Sequence, residues 1–398
     1  MRDVYIVEGV RTAIGKLGGA FKEVQADLLA AKVIRGLLEK TNPSIEVDEV
    51  ILGQARQSAD AANIARVAAL HAKLGEDVTG YTVHRQCGSG LQAINNAAQQ
   101  IALGLQDVVI AGGTESLSNA PYYLRNARYG FNVGNGVLCD PNTESQIHSQ
   151  PIDQYGTFTM GYTAENLAEK YNISREAQDE FALRSQHLAL QAIAEGRFEE
   201  EIIPYEIKTR KLTVQVAVDE HPRQTSLDSL SNLKAVFKEG GTVTAGNSSG
   251  RNDGASALLL MTKEKLEAYR LQAKAKIIAQ AVAGVSPELM GIGPVLSTQK
   301  ALKQANLTIQ DIDVIELNEA FAAQALAVIQ EAGMELDKVN VNGGAIALGH
   351  PIGATGAILT TKLIYELQRQ KARYGLVTLC IGGGQGITTI IENCQYSN

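Results

Sequence analysis

The chain has 398 residues, 45% of them apolar and 20% charged, long enough to bury a sizeable core. Its 36 basic residues fall short of its 43 acidic ones, and a net charge of −7 offers no attraction to a polyanion, so nucleic acid is not an expected partner. Four cysteines, Cys87, Cys139, Cys380 and Cys394, are too few for a disulfide framework; none forms a C-x-x-C pair that would hold zinc, so they read as free thiols of a reducing compartment.

Val4-Tyr5-Ile6-Val7 reads as a first strand, not as the core of an export signal. No run of 18 apolar residues predicts a membrane span, and Tyr396-Ser397-Asn398 carries no recognised sorting tag, so cytoplasm is expected. Leu29, Val33, Leu37 and Leu38 share one face of a helix predicted over residues 27–40, and Ile64, Val67 and His71 mark another after Asp60. The 38 glycines cluster where strand-like runs give way to helical patterns, the punctuation of an α/β fold.

One order of elements occurs twice. Tyr81-Thr82-Val83 reads as a strand, Cys87-Gly88-Ser89-Gly90 as a turn, residues 91–103 as a helix, and 107–111 as a strand ending in Gly112-Gly113. In the second half Val339-Asn340-Val341 reads as a strand, residues 343–356 as a longer glycine-rich turn, 357–368 as a helix, and 376–379 as a strand ending in Cys380. Two related halves are expected, each giving one strand-to-helix turn to a shared cleft at the carboxyl ends of strands. Between them, residues 121–238 alternate polar loops with a charged helix capped at Ser174 and ending at Gly196, which reads as an insertion. A loop as long as 131–156 is functional, an oligomer contact or a solvated excursion.

Cys87 sits where a predicted strand meets a predicted helix, so the helix N-terminus favours its thiolate; the alternative is a small buried hydrophobe. Gly88-Ser89-Gly90-Leu91-Gln92-Ala93, with Glu115 downstream, also fits a dinucleotide fingerprint, which would leave Cys87 unexplained. His350, held in a glycine-dense turn before Pro351, is either a structural residue or the partner of a nucleophilic cysteine; with no second ligand at metal spacing beside it, metal binding is not expected. Cys380 enters Ile381-Gly382-Gly383-Gly384-Gln385-Gly386, whose N–H groups suit an oxyanion hole, unless it is a buried strand-end thiol. Asn318 is a polar orienter or a helix cap.

Together these stretches resemble the thiolases over essentially the whole chain. The resemblance rests on Arg85-Gln86-Cys87-Gly88-Ser89-Gly90, Gly112-Gly113-Thr114-Glu115-Ser116, Gly246-Asn247-Ser248-Ser249-Gly250, Asn252-Asp253-Gly254, Asn318-Glu319-Ala320-Phe321, residues 342–356 and residues 380–386. It implies a duplicated thiolase fold with a layered α-β-α-β-α core: residues 1–120 as the N-terminal half, completed by 249–270; an inserted loop domain, 121–248, covering the coenzyme A site; and 271–398 as the C-terminal half. It implies Cys87 as the acylated nucleophile, His350 as its base and Cys380 as the acid/base at the substrate α-carbon. Asn318, through a water, and His350 would form one oxyanion site, and the N–H groups of Cys87 and Gly382 the other. Ser249 would contact pantetheine, Met160, Met290, Ala320 and Phe321 would bound the substrate, and Arg223 would approach the adenine.

The implied activity is acetyl-CoA C-acetyltransferase, a reversible Claisen condensation with coenzyme A thioesters as substrates and no cofactor or metal, in a homo-oligomer, dimer or tetramer. The alternatives are a broader 3-ketoacyl-CoA thiolase of fatty-acid or aromatic breakdown and a non-catalytic acyl-CoA-binding protein. His84 stands where many relatives have Asn, Ala13 where Pro is common, and Thr159 where the short-chain branch often has His, which weakens the choice of acetoacetyl-CoA over longer substrates.

Overall fold

The computed structural model describes residues 1–208 and 212–396. Nine main strands run in chain order: β1 (Tyr5–Arg11), β2 (Glu49–Gly53), β3 (Thr79–Val83), β4 (Val108–Ser116), β5 (Asn252–Met261), β6 (Ala275–Gly284), β7 (Val314–Leu317), β8 (Tyr374–Ile381) and β9 (Gln385–Asn393). The main helices are α1 (Ala26–Thr41), α2 (Ile64–His71), α3 (Ser89–Leu103), α4 (Met160–Lys170), α5 (Arg175–Ala194), α6 (Gly293–Ala305), α7 (Ala322–Ala332) and α8 (Thr355–Gln370).

The strands pair in the order β7-β8-β9-β6-β1-β5-β4-β2-β3. Duplication is visible in the pairing sense. In the first half β3, β2 and β4 are parallel, and β5 and then β1 follow antiparallel. In the second half β7 and β8 are parallel, and β9 and then β6 follow antiparallel. The halves meet where β1 pairs β6 at Tyr5–Lys276 and Ile6–Ala275.

Burial explains the layering. The α8 residues from Thr355 to Leu367 are all buried, because this helix packs on β1 and β5 of one half, on β7 and β8 of the other, and on α3. Leu91, Ile94, Ile101, Leu363, Ile364 and Val377 share that middle core. Outside the first half α1 and α2 place Leu29, Leu37 and Ile64 on the sheet, and outside the second α6 and α7 supply Val295, Leu302 and Val328. Each large apolar side chain fully buried this way contributes about 1.5–3 kcal/mol, and the result is the expected α-β-α-β-α arrangement.

Two local expectations change. The buried face of α2 is Ile64, Ala65, Ala68 and Ala69, so Val67 and His71 do not form its core stripe. The strand expected at Val339-Asn340-Val341 reduces to one bridge between Val339 and Ile315. Asn340 takes a left-handed conformation, φ 49°. Its side chain accepts from the Leu317 N–H at 2.9 Å and donates to the Leu317 carbonyl and Glu319 at 2.8 Å, taking over the bonds that a ladder would have made.

The middle segment lies largely outside the main sheet. Ser174 caps α5 through the Ala177 N–H, as expected. Residues 121–139 form an exposed hairpin in which Tyr129, Val133 and Leu138 face solvent. Farther on, Asp219 and Glu201 hold the fully buried Arg11 guanidinium at 2.6–2.9 Å, anchoring the segment to the end of β1. No described helix is long and apolar enough to cross a membrane.

Candidate active site

The Cys87 turn is built from its own sequence. Gln86 is forced to φ 44°, a strained value for a residue with a Cβ, directly before the cysteine. Ser89 stabilises that bend: its hydroxyl donates to the Gln86 carbonyl at 2.6 Å and accepts from the Arg85 N–H at 2.8 Å. Arg85 in turn donates to the Gln385 side chain at 2.9 Å, fastening the turn to the β8–β9 hairpin. That hairpin closes through Gly383 and Gly384 at φ 87° and 85°, values only glycine adopts without strain. It thereby brings Cys380 and Gly382 to Cys87.

His350 arrives from the second half. Gly349 before it has φ 109°, and a Cβ there would strike Asn252, which accepts the His350 N–H at 2.9 Å. The imidazole Nδ1 lies 2.6 Å from the Thr355 hydroxyl, which itself donates to the Pro351 carbonyl at 2.9 Å. A hydroxyl has one hydrogen, so Thr355 accepts from Nδ1–H and Nε2 keeps a free lone pair. Nε2 is buried without a partner among the described residues. Burial first, then the Arg56 charge, lowers the imidazole pKa to about 4, so the ring is a neutral base at physiological pH.

Replacing Thr355 with Val is therefore expected to cut kcat/KM roughly 10- to 100-fold, since a buried Nδ1–H left unpaired costs about 1–3 kcal/mol. Thr355→Ser should restore most of the loss. The wild-type pH profile should show no protonation limb near 6.5, because the imidazole stays neutral down to about pH 4. A limb at 6.5, or failure of serine to rescue, would overturn this tautomer assignment.

Cys87, His350, Cys380 and Gly382 line one cavity, joined by Met160, Ser249, Met290, Ala320 and Phe321. Cys380 is buried, and desolvation first, then the neighbouring Cys87, raises its thiol far above the usual range, so it holds a proton firmly. Cys87 corrects an expectation: burial pushes its thiol up, outweighing the Gly382 N–H, the Arg56 charge and its own N–H, all of which pull it down. The thiolate is thus not the resting form, and the unpartnered Nε2 of the neutral His350 imidazole lines the same cavity. The backbone N–H groups of Cys87 and Gly382 both act on the Cys87 sulfur, so they stand beside the atom that would carry an acyl group.

Asn318 is fully buried but does not line the cavity, although Ala320 and Phe321 beside it do. It caps no helix, because α7 starts at Ala322 with Phe321 in the cap position. Its amide oxygen and nitrogen have no partner among the described residues. Arg223 also stands apart from the cavity, exposed beside His221 at 3.4 Å. Thr159 caps α4 through the Tyr162 N–H, immediately before Met160.

Sequence reading named two buried carboxylates in its motifs but did not find the positioning role that the structure gives them. Glu115 accepts the N–H groups of Ala55, Arg56 and Gly353 at 2.8–3.0 Å, tying the halves together behind the catalytic turns. That role, with Gly88 packed against Ile381 and Gly90 against Gly353, leaves the dinucleotide fingerprint without an acid or space for phosphate. Glu319 accepts from Ser185 at 2.6 Å, Asn340 at 2.8 Å and Ile346 at 3.3 Å, fixing the turn that leads to His350. Their short-range sequence signal is only an acid after a strand. No group of three or more His, Cys, Asp or Glu among the described residues is arranged to hold a metal ion.

The thiolase N-terminal domain model matches residues 4–264 and the thiolase C-terminal domain model residues 271–393. A probable acetyl-CoA acyltransferase of Staphylococcus epidermidis is 48% identical, over 99% of this chain and 100% of its own length. The 3-oxoadipyl-CoA/3-oxo-5,6-dehydrosuberyl-CoA thiolase of Escherichia coli is 47% identical, over 98% and 100%. The solved structure of the Bacillus anthracis acetyl-CoA acetyltransferase superposes with a TM-score of 0.95 at 47% identity, covering 99% of both chains.

Proposed function

This chain belongs to the thiolase family, and on that premise we propose that it is an acetyl-CoA C-acetyltransferase in which Cys87, His350 and Cys380 carry the reaction. The observation that supports this most is one cavity lined by two thiols and a neutral imidazole with a free Nε2. In thiolysis His350 takes the Cys87 proton as the sulfur adds to the 3-oxo carbon. The bond between C2 and C3 then breaks, its electron pair goes to C2, and Cys380 protonates that carbon, releasing acetyl-CoA. The Cys380 thiolate next takes the proton of free coenzyme A, whose sulfur attacks the acyl-Cys87 thioester; Cys87 leaves and recovers its proton from His350. Condensation is the same path reversed.

The N–H groups of Cys87 and Gly382 would stabilise the oxyanion on the acyl carbon, and His350 with a water held by the unpartnered Asn318 amide, which itself lies behind the cavity wall, the enolate oxygen. Neither site calls for a cofactor or metal. Ser249 would meet pantetheine, and the surface beyond it, from Gly250 to His221 and Arg223, supports an outward track for the rest of coenzyme A under the cover of residues 121–248. The exposed hydrophobic hairpin supports a homo-oligomer, and four free cysteines support a cytoplasmic location.

Initial rates with acetoacetyl-CoA and 3-oxohexanoyl-CoA, each with free coenzyme A, test the reading. Acetoacetyl-CoA should be the better of the two; a strong preference for the longer unsubstituted chain would instead make this a broad-range 3-ketoacyl-CoA thiolase. Absence of turnover and of any acyl-enzyme would leave a non-catalytic binder.

A further inference from the structure

One stretch of the wall of the reaction cavity, its polar arm, has unusual chemistry. Arg56 forms part of it, with Asn142 and Ser145 from the short helix Pro141–Ile147. Three polar atoms here are buried without a partner among the described residues: Arg56 Nε, Asn142 Oδ1 and Ser145 Oγ. Among the described residues Arg56 makes no ion pair, and its one side-chain hydrogen bond reaches the Ala55 carbonyl at 3.4 Å. Glu115 feels the Arg56 charge, but its carboxylate oxygens are hydrogen-bonded to three backbone N–H groups and not to the guanidinium.

An unpaired guanidinium beside unfilled hydrogen-bonding atoms is a poor surface for a hydrocarbon tail, because covering it would strip water from a charge and return nothing. Its donors, the Arg56 guanidinium and the Ser145 hydroxyl, suit an anion, since a planar guanidinium binds a carboxylate through paired N–H groups, while the Asn142 amide oxygen only accepts and would take a water instead. We propose that this arm of the cavity receives the free carboxylate of the acyl group carried on Cys87, making Arg56 a specificity-determining residue for 3-oxoacyl-CoA substrates whose chain ends in a carboxylate. Ser145 would donate to the same carboxylate. With acetoacetyl-CoA the arm holds no substrate; because the Arg56 charge also acts on Cys87 and His350, an Arg56 variant is read by the ratio between two substrates and not by the acetyl rate.

The inference rests on the acyl-Cys87 chemistry proposed above and adds the class of acyl group to it. The step is unchanged in atoms and protons: thiolysis of 3-oxoadipyl-CoA leaves a succinyl group on Cys87 and releases acetyl-CoA, and free coenzyme A then collects the succinyl group.

Two matched comparisons on the purified full-length enzyme test it. In the first, kcat/KM is measured for 3-oxoadipyl-CoA and 3-oxohexanoyl-CoA, equal in carbon number and differing in the terminal carboxylate. The expected ratio is about 10 or more in favour of the carboxylate, and Arg56→Leu should lower that ratio roughly 10- to 100-fold while Arg56→Lys retains part of it. In the second, wild-type enzyme is offered equimolar succinyl-CoA and butyryl-CoA, and the acyl group on Cys87 is read by mass; succinyl should predominate. A wild-type ratio at or below one, a ratio unmoved by Arg56→Leu, or predominance of butyryl would overturn the proposal. If acetyl-CoA labels Cys87 while these preferences fail, only the carboxylate arm is refuted. If no thioester labels Cys87, the acetyltransferase reading falls first.

Discussion

Cys87→Ser is expected to reduce acetoacetyl-CoA thiolysis at least about 10³-fold, the scale seen when a covalent nucleophile is removed. A serine hydroxyl is harder to deprotonate than a thiol, and here the thiol itself is raised by burial, so the step already relies on transfer to His350. An imidazole with a pKa of about 4 is a weak base, and it can serve a thiol far better than an alcohol, which is intrinsically the weaker acid. Any ester that formed would also be a poorer acyl donor than a thioester. The measurement is steady-state turnover together with acylation followed by intact mass. Near-native turnover would remove Cys87 from the mechanism.

Cys380→Ser should separate the two halves of the reaction. Acylation of Cys87 by acetyl-CoA should persist in part, because it needs Cys87, His350 and the N–H groups of Cys87 and Gly382. Exchange of the acetyl-CoA α-hydrogens with deuterated water should fall by about 10²–10⁴, the usual weight of a positioned acid or base. The reason lies in the environment: burial and the neighbouring Cys87 hold the Cys380 proton until a carbanion develops next to it. Exchange at the native rate would show that another group handles the α-carbon.

Much of this arrangement is legible in the sequence, because its signals are local. Cys87 precedes a helix by a turn rich in glycine, Cys380 closes a strand before three glycines, and the repeated order of elements announces two halves. Asn340 shows where local reading fails. Val339-Asn340-Val341 has the composition of a strand, yet the Asn340 side chain bonds to Leu317 and Glu319, which no pattern around residue 340 reveals. The thiol of Cys87 fails for a similar reason. The helix N-terminus that favours a thiolate is a local signal, whereas the burial that raises the thiol comes from the fold around it. Glu115 is the third case: an acid at the expected interval after a glycine pattern suggests a ribose ligand, but its oxygens are taken by Ala55, Arg56 and Gly353, the last of them 238 positions away. Arg56 drew no attention because nothing near it in the chain marks a site; only folding brings it to the wall shared by Cys87 and His350.

The most direct test is to mix the wild-type enzyme with acetyl-CoA alone, quench, and locate the added mass by peptide mapping. One acetyl group per chain on the peptide containing Cys87, released by free coenzyme A, is the predicted result. An unmodified chain, or an acetyl group on Cys380 with Cys87 untouched, would contradict the account.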